Sequence, residues 1–289
     1  MKDMQYLTTS DRRRTRDATE STRYPILYLY LLVSLLLLPA CEQNTHVQGM
    51  RVVSLSPAVT EIVYALGAED ALVGVTTFCD FPERVQYKRT VGDFSNPSIE
   101  RIVALKPHLV IINLPEQARV KKQLEQLDLP VFTSSPTSLH VLYAEIIELG
   151  RLLDRQSEAE SLVRYMEANI RPGAARPTTA VYIELSPRPL VTVGGKSYLN
   201  EMLEMAGGMN IFSDCAQPYP VVGQETVIQR NPEVIIVLHP ESITDRLGWQ
   251  HITALRNNRV YTDFDQDLLI RPGPRLVEGF RLLVHCLHE

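Results

Sequence analysis

The chain is short of several things, and each shortage removes a class of protein. No apolar run reaches the roughly 20 residues that cross a bilayer; the longest, Pro25 to Leu38 within "YPILYLYLLVSLLLLPAC", stops well before that. There is no basic excess, since the formal net charge is −5 over 289 residues, so the electrostatic footprint of a nucleic-acid binder is missing. Four cysteines are too few for a disulfide scaffold. The single tryptophan is Trp249. The seven histidines (His46, His108, His140, His239, His251, His285 and His288) are scattered and form no HExxH or close cluster, so no metal site is expected. "VGGKS", Val193 to Ser197, invites a phosphate-binding reading but fails it, because Leu190 stands where the P-loop needs its first glycine. A G-x-S-x-G nucleophile elbow is lacking as well, and no assembled catalytic set is visible.

What is present begins with a leader. Arg12, Arg13, Arg14, Arg16 and Arg23 precede the apolar run, as in the n-region of an export signal. "LPAC", Leu38 to Cys41, then resembles a bacterial lipobox, in which the cysteine becomes the lipid-modified first residue of the mature chain. Residues 1–41 read as a lipoprotein signal peptide and residues 42–50 as a polar tether. The expected location is the periplasmic face of a membrane. Cys79, Cys215 and Cys286 remain, an odd number for an exported chain. Cys79 in "FCDFP" reads as a plain thiol or as a partner of Cys215, with a nucleophile or an axial metal-chelate ligand as the alternatives.

From Arg51 onward, short continuous apolar runs alternate with amphipathic stretches. This pattern indicates βαβ units and parallel sheets. Strands are expected at Arg51–Leu55, 72–75, 109–112 and 130–133, with helices at Ser56–Leu66 and 116–127. A mostly helical stretch, 138–170, follows, and "SEAE" (Ser157–Glu160) fits a capping box at the start of its second part. Strands resume at 180–185, 190–193, "EVIIVL" and "RVYTDF", with a helix near 197–206. "PGPRLVEGFRLLVHCL" is expected as a closing helix with proline in its first turn. The fold class is therefore α/β, with two Rossmann-like lobes around parallel sheets. The division is an N-terminal lobe at 51–155, a single linking helix at 156–173 and a C-terminal lobe at 174–289.

One unit occurs twice. "SIERIVALKPHLVII" and "QETVIQRNPEVIIV" share a Glu seven places before a Pro, and then an apolar triplet. Glu100 and Glu225 fall in the first turn of their helices, where the helix dipole favours negative charge. A second reading uses symmetry. Two like lobes present two carboxylates about a pseudo-twofold axis, which suits a dimeric partner with one Arg per subunit. For an anchored export protein, that partner would be a membrane transporter.

"RVVSLSPAVTEIVYALG", "VGVTTFCDFP", "SIERIVALKPHLVI", "GGKSYLNEMLEMAGGMNIF", "PYPVVGQETV" and "RPGPRLVEGF", in that order, resemble the landmarks of the helical-backbone substrate-binding proteins of ABC importers for cobalamin, ferric siderophores and haem. The resemblance covers about Arg51 to Cys286 and is strongest toward the cobalamin-binding members. It implies a monomeric receptor and not an enzyme, without a resident cofactor, that carries a small-molecule metal chelate such as a corrinoid in a cleft between lobes. A ferric siderophore or haem is the alternative cargo, and an anchored two-lobed α/β enzyme is the distant one. The resemblance further implies docking on a dimeric permease through Glu100 and Glu225. It puts Phe78, Phe94 and Tyr219 at aromatic cleft positions, and Asp267 and Arg271 at a polar pair that is also spaced for an i, i+4 ion pair. Asn113 stands where the cobalamin-binding pattern has an aromatic, and Ala206 and Val284 stand where it has a disulfide.

Overall fold

In the computed structural model, residues 49–173 and 178–288 are described. The leader, Cys41 and most of the tether expected from the sequence lie outside the described residues. Among the described residues, no helix is long and apolar enough to cross a membrane.

The first lobe runs β1 (Val52–Ser54), α1 (Pro57–Ala65), β2 (Leu72–Val75), α2 (Ile99–Ala104), β3 (Leu109–Asn113), α3 (Ala118–Glu125) and β4 (Val131–Ser134). Its four strands are all parallel, in the order β2-β1-β3-β4. Helix starts are locally encoded. Ser56 Oγ accepts from Val59 N with Pro57 at the first helical position, and Ser98 Oγ accepts from Arg101 N at 3.2 Å. Alternate residues of β3 enter different cores. Leu109 and Ile111 join one apolar cluster, whereas Val110 and Ile112 join another with Val53, Leu55 and Leu124. Both faces of the sheet are therefore covered, which is why its strands read as unbroken apolar runs.

Two helices, α4 (Leu139–Leu152) and α5 (Gln156–Asn169), lead to the second sheet. They pack so closely that a Cβ on Gly150 would lie 2.4 Å from that of Ala159. The expected capping box is not formed: α5 starts at Gln156 after Arg155, so Ser157 is already inside the first turn and bonds Glu158 instead.

The second lobe holds β5 (Thr179–Pro187), β6 (Leu190–Thr192), α6 (Tyr198–Ala206), β7 (Gly208–Asn210), α7 (Gln224–Arg230), β8 (Val234–Val237), α8 (Thr253–Arg256), β9 (Val260–Tyr261), α9 (Asp267–Ile270) and α10 (Leu276–His288). The strand order is β6-β5-β8-β9, with β7 also on β5; only β6 is antiparallel. The closing helix begins at Leu276, so Pro272 and Pro274 precede it rather than occupy its first turn. The expected strand "RVYTDF" is reduced to Val260–Tyr261. One apolar cluster runs through both lobes, from Val52 and Ile111 by way of Leu142 and Met166 to Ile183 and Leu283.

The twin units occupy equivalent places. The turns that close α2 and α7 each carry a residue with left-handed backbone, Lys106 (φ 46) and Asn231 (φ 42), directly before Pro107 and Pro232. Strands β3 and β8 then pair parallel with the first strand of their own sheet, Val53 opposite Val110 and Tyr182 opposite Ile235.

Candidate ligand-binding cleft

Loops at the carboxyl ends of β1 to β4 surround a cavity of about 740 Å³, closed from the other side by segments of the second lobe. This is the general location of ligand crevices in open α/β sheets. Phe78, Phe94, Asn113, Tyr219, Asp267 and Arg271 all line it, so the structure brings the six residues singled out in the sequence into one wall system.

The aromatic side is open. Phe78 is 54% exposed, and its ring meets Phe94 edge-on at 6.3 Å. Tyr219 rises from the other lobe, next to Tyr198, whose hydroxyl donates to Leu269 O at 2.9 Å. Burial pushes the Tyr219 phenol up to about 12, and the Glu116 carboxylate, reaching it from the first lobe, adds to the shift. It therefore stays a neutral phenol at physiological pH. Asn113 donates to Glu116 at 2.9 Å, so the end of β3 offers amide and carboxylate groups where an aromatic ring was the other possibility.

Arg271 is surrounded by acceptors. It reaches Asp80 at 2.6 Å, Asp267 at 2.7 Å and Glu61 at 3.1 Å. Arg275 binds Glu61 in bidentate fashion at 2.8 and 2.9 Å, reaches Asp265 at 2.8 Å, and stacks over the Phe81 ring at 4.2 Å. Glu61 is only 2% exposed. Since Glu61, Asp80 and Phe81 belong to the first lobe, and the two arginines with Asp265 and Asp267 to the second, this network is a latch between lobes. Asp267–Arg271 is thus both the expected i, i+4 ion pair and part of the cleft. The electrostatic balance differs around it. Burial works against the charge on Asp80, but Arg271 outweighs it and holds that carboxyl below the ordinary range. At Asp267 burial wins over Arg271, with Asp265 and Asp80 adding repulsion, and the carboxyl is raised.

Sequence reasoning missed Glu61, Asp80, Arg275, Glu116 and Tyr198. Glu61 had a signal, a carboxylate inside the apolar run "VTEIVYAL". Its partners lie more than two hundred residues downstream, and one sequence gives no means of pairing them. Cys79 does not line the cavity. Its thiol is buried against the hydroxyls of Thr60 and Thr76, is pushed up by that burial, and forms no disulfide with Cys215. The described residues contain no group of side chains that could hold a metal ion.

Glu100 and Glu225 lie on the surface, each the second residue of its helix after Ser98 and Gly223. The Glu100 carboxylate accepts from Ser98 Oγ at 2.8 Å, and its own backbone amide, followed by Ser98, holds it below the usual range.

A family model described as periplasmic binding protein matches residues 52–266, more than half of the chain. The chain belongs to that family. A vitamin B12-binding protein of Vibrio parahaemolyticus is 33% identical, with 82% of this chain and 88% of the relative covered. An uncharacterized ABC transporter substrate-binding lipoprotein of Bacillus subtilis, YvrC, is 32% identical over 82% of this chain and 80% of its own length. The crystal structure of a possible iron-binding periplasmic solute-binding protein from Staphylococcus epidermidis superposes with a TM-score of 0.72 at 30% identity, covering 83% of this chain and 98% of that one. This periplasmic binding protein is therefore a substrate-binding component of an ABC transporter and not an enzyme. It works outside the cytoplasm, with a small-molecule ligand and a membrane permease as its partners.

Proposed function

We propose that this protein captures a corrinoid in its interlobe cleft and hands it to a dimeric permease while anchored to the membrane through lipid on Cys41. The observation that carries the choice of ligand is the charge of the cleft. Among the described residues lining it, Arg271 is the only Lys or Arg, and its guanidinium is already held by three carboxylates. An anionic chelate would meet Glu116 and Asp267 with no uncommitted cation to balance them. A corrinoid, whose macrocycle carries neutral amides around a cobalt centre, suits aromatic faces edged by Asn113, Glu116, Gln217 and Tyr219. The B12-binding relatives support the same choice.

Glu100 and Glu225 are the docking groups in this reading. They stand on twin helices at matching positions, and a carboxylate on each lobe complements one Arg from each permease subunit. The test is a comparison of cargoes on the purified chain. Cyanocobalamin and dicyanocobinamide bind tightly, and haemin and an anionic ferric siderophore bind far more weakly. The competing reading, an iron chelate, rests on the similarity to the possible iron-binding protein. Preference for haemin or the ferric siderophore over both corrinoids would establish it.

A further inference from the structure

Gln117 is the residue immediately before α3, and residues at such positions commonly use their side chains to cap the helix. This one does not cap. Its carboxamide turns back toward the cleft and is 1% exposed. Nε2 donates to Phe94 O at 2.7 Å and to Leu55 O at 3.2 Å, and Oε1 accepts from Asn113 N at 2.8 Å. Its own backbone N donates to Asn113 O at 3.0 Å. Both amide protons and the oxygen are thus committed, all to backbone.

The three partners belong to three separate pieces of the cleft wall. Leu55 follows β1 and precedes the lining residues Ser56 and Pro57, Asn113 ends β3, and Phe94 sits on the loop between β2 and α2. That loop is folded on itself by Asn96 N donating to Asp93 at 2.6 Å. Gln117 fastens it to the sheet.

We propose that Gln117 is the positioning residue of the cleft: without facing the ligand as an aromatic does, it holds Phe94 and the Asn113 backbone at the spacing that ligand binding needs. This rests on the cleft being the chelate site. No side chain but Gln or Asn brings two donors and an acceptor in one plane, and Asn is one methylene too short to span the three segments.

The experiment uses the full-length chain and cyanocobalamin as probe. Gln117→Met keeps the length and removes the polar atoms, whereas Gln117→Glu keeps the acceptor for Asn113 N and sets a carboxylate against two carbonyl oxygens. Both variants are expected to bind at least tenfold more weakly at pH 8. Q117E regains affinity as pH falls toward 6, because the protonated acid recovers one donor, and Q117M does not. Leu124→Ala, which opens a void in the buried face of α3, lowers Tm but leaves Kd within twofold. Wild-type affinity in Q117M, or a loss in L124A as large as in Q117M, overturns the proposal. Amide exchange without ligand separates it from the functional reading. If the wild-type chain binds no corrinoid, the corrinoid assignment falls. The clamp is then judged by the Asn113 amide, whose protection is lost in Q117M if the clamp exists and unchanged if it does not.

Discussion

Arg275→Met is the sharpest perturbation of the latch. The substitution keeps much of the side-chain volume and removes the charge. Glu61 then loses its two shortest hydrogen bonds, at 2.8 and 2.9 Å, and keeps only Arg271 at 3.1 Å. Removing one partner of a buried ion pair costs about 3–5 kcal/mol, because the other charge is left desolvated. The surviving Arg271 contact argues for the low end, and the lost stacking on Phe81 adds up to about 1 kcal/mol. The expected loss is about 3 kcal/mol, or a fall in Tm of roughly 6–12 °C for a domain of this size. Urea unfolding of R275M, Glu61→Gln and the double variant measures it. The double variant is expected to lose at least about 1 kcal/mol less than the sum of the singles, since it leaves no unpaired buried charge. A loss in R275M under about 1 kcal/mol, or strict additivity, refutes the latch.

The buried Glu184 in the second lobe makes a parallel case. Arg246 binds it at 2.6 and 2.7 Å and His239 at 2.7 Å, so Arg246→Met is expected to lose about 3 kcal/mol by the same urea assay. Asp80 gives a pH signature. A carboxyl held below its unfolded pKa stabilises the fold above that pKa and loses the contribution as pH falls through the folded value. Asp80→Asn is therefore less stable than wild type at pH 7, and the gap closes as pH drops below about 4. Asp267, whose carboxyl is raised, runs the other way, and the gap between Asp267→Asn and wild type moves in favour of the variant as pH rises toward neutrality. Glu100→Ala combined with Glu225→Ala is expected to abolish ligand delivery in a reconstituted permease assay while corrinoid affinity stays within twofold. Normal delivery by this double variant contradicts the docking assignment.

The sequence carried those parts of the fold that are written locally. Ser56-Pro57 and Ser98 start helices where serine caps are expected, and apolar runs such as "LVII" became strands buried on both faces. The duplicated Glu–Pro unit was legible for the same reason, because helix, proline and strand are contiguous. Errors arose where local pattern and packing disagreed. "SEAE" has the spacing of a capping box, but α5 starts two residues earlier, at Gln156, so Ser157 already lies inside its first turn. The short β7 was missed because Gly207-Gly208 reads as a helix stop, and Gly208–Asn210 becomes a strand only by pairing with β5. At the cleft, the aromatic residues Phe78, Phe94 and Tyr219 were visible as what the family resemblance implies. Glu61 with Arg275 and Gln117 with Phe94 were not, because each is a contact between distant segments with a polar group inside the fold.

Isothermal titration of the purified protein with dicyanocobinamide, set against haemin under the same conditions, tests the central claim most directly. A cleft whose one Lys or Arg among the described lining residues, Arg271, is already held by three carboxylates predicts tight, nearly salt-independent binding of the cobinamide and at least a hundredfold weaker binding of the dicarboxylate haemin. Tight haemin binding with no heat from the cobinamide would contradict it.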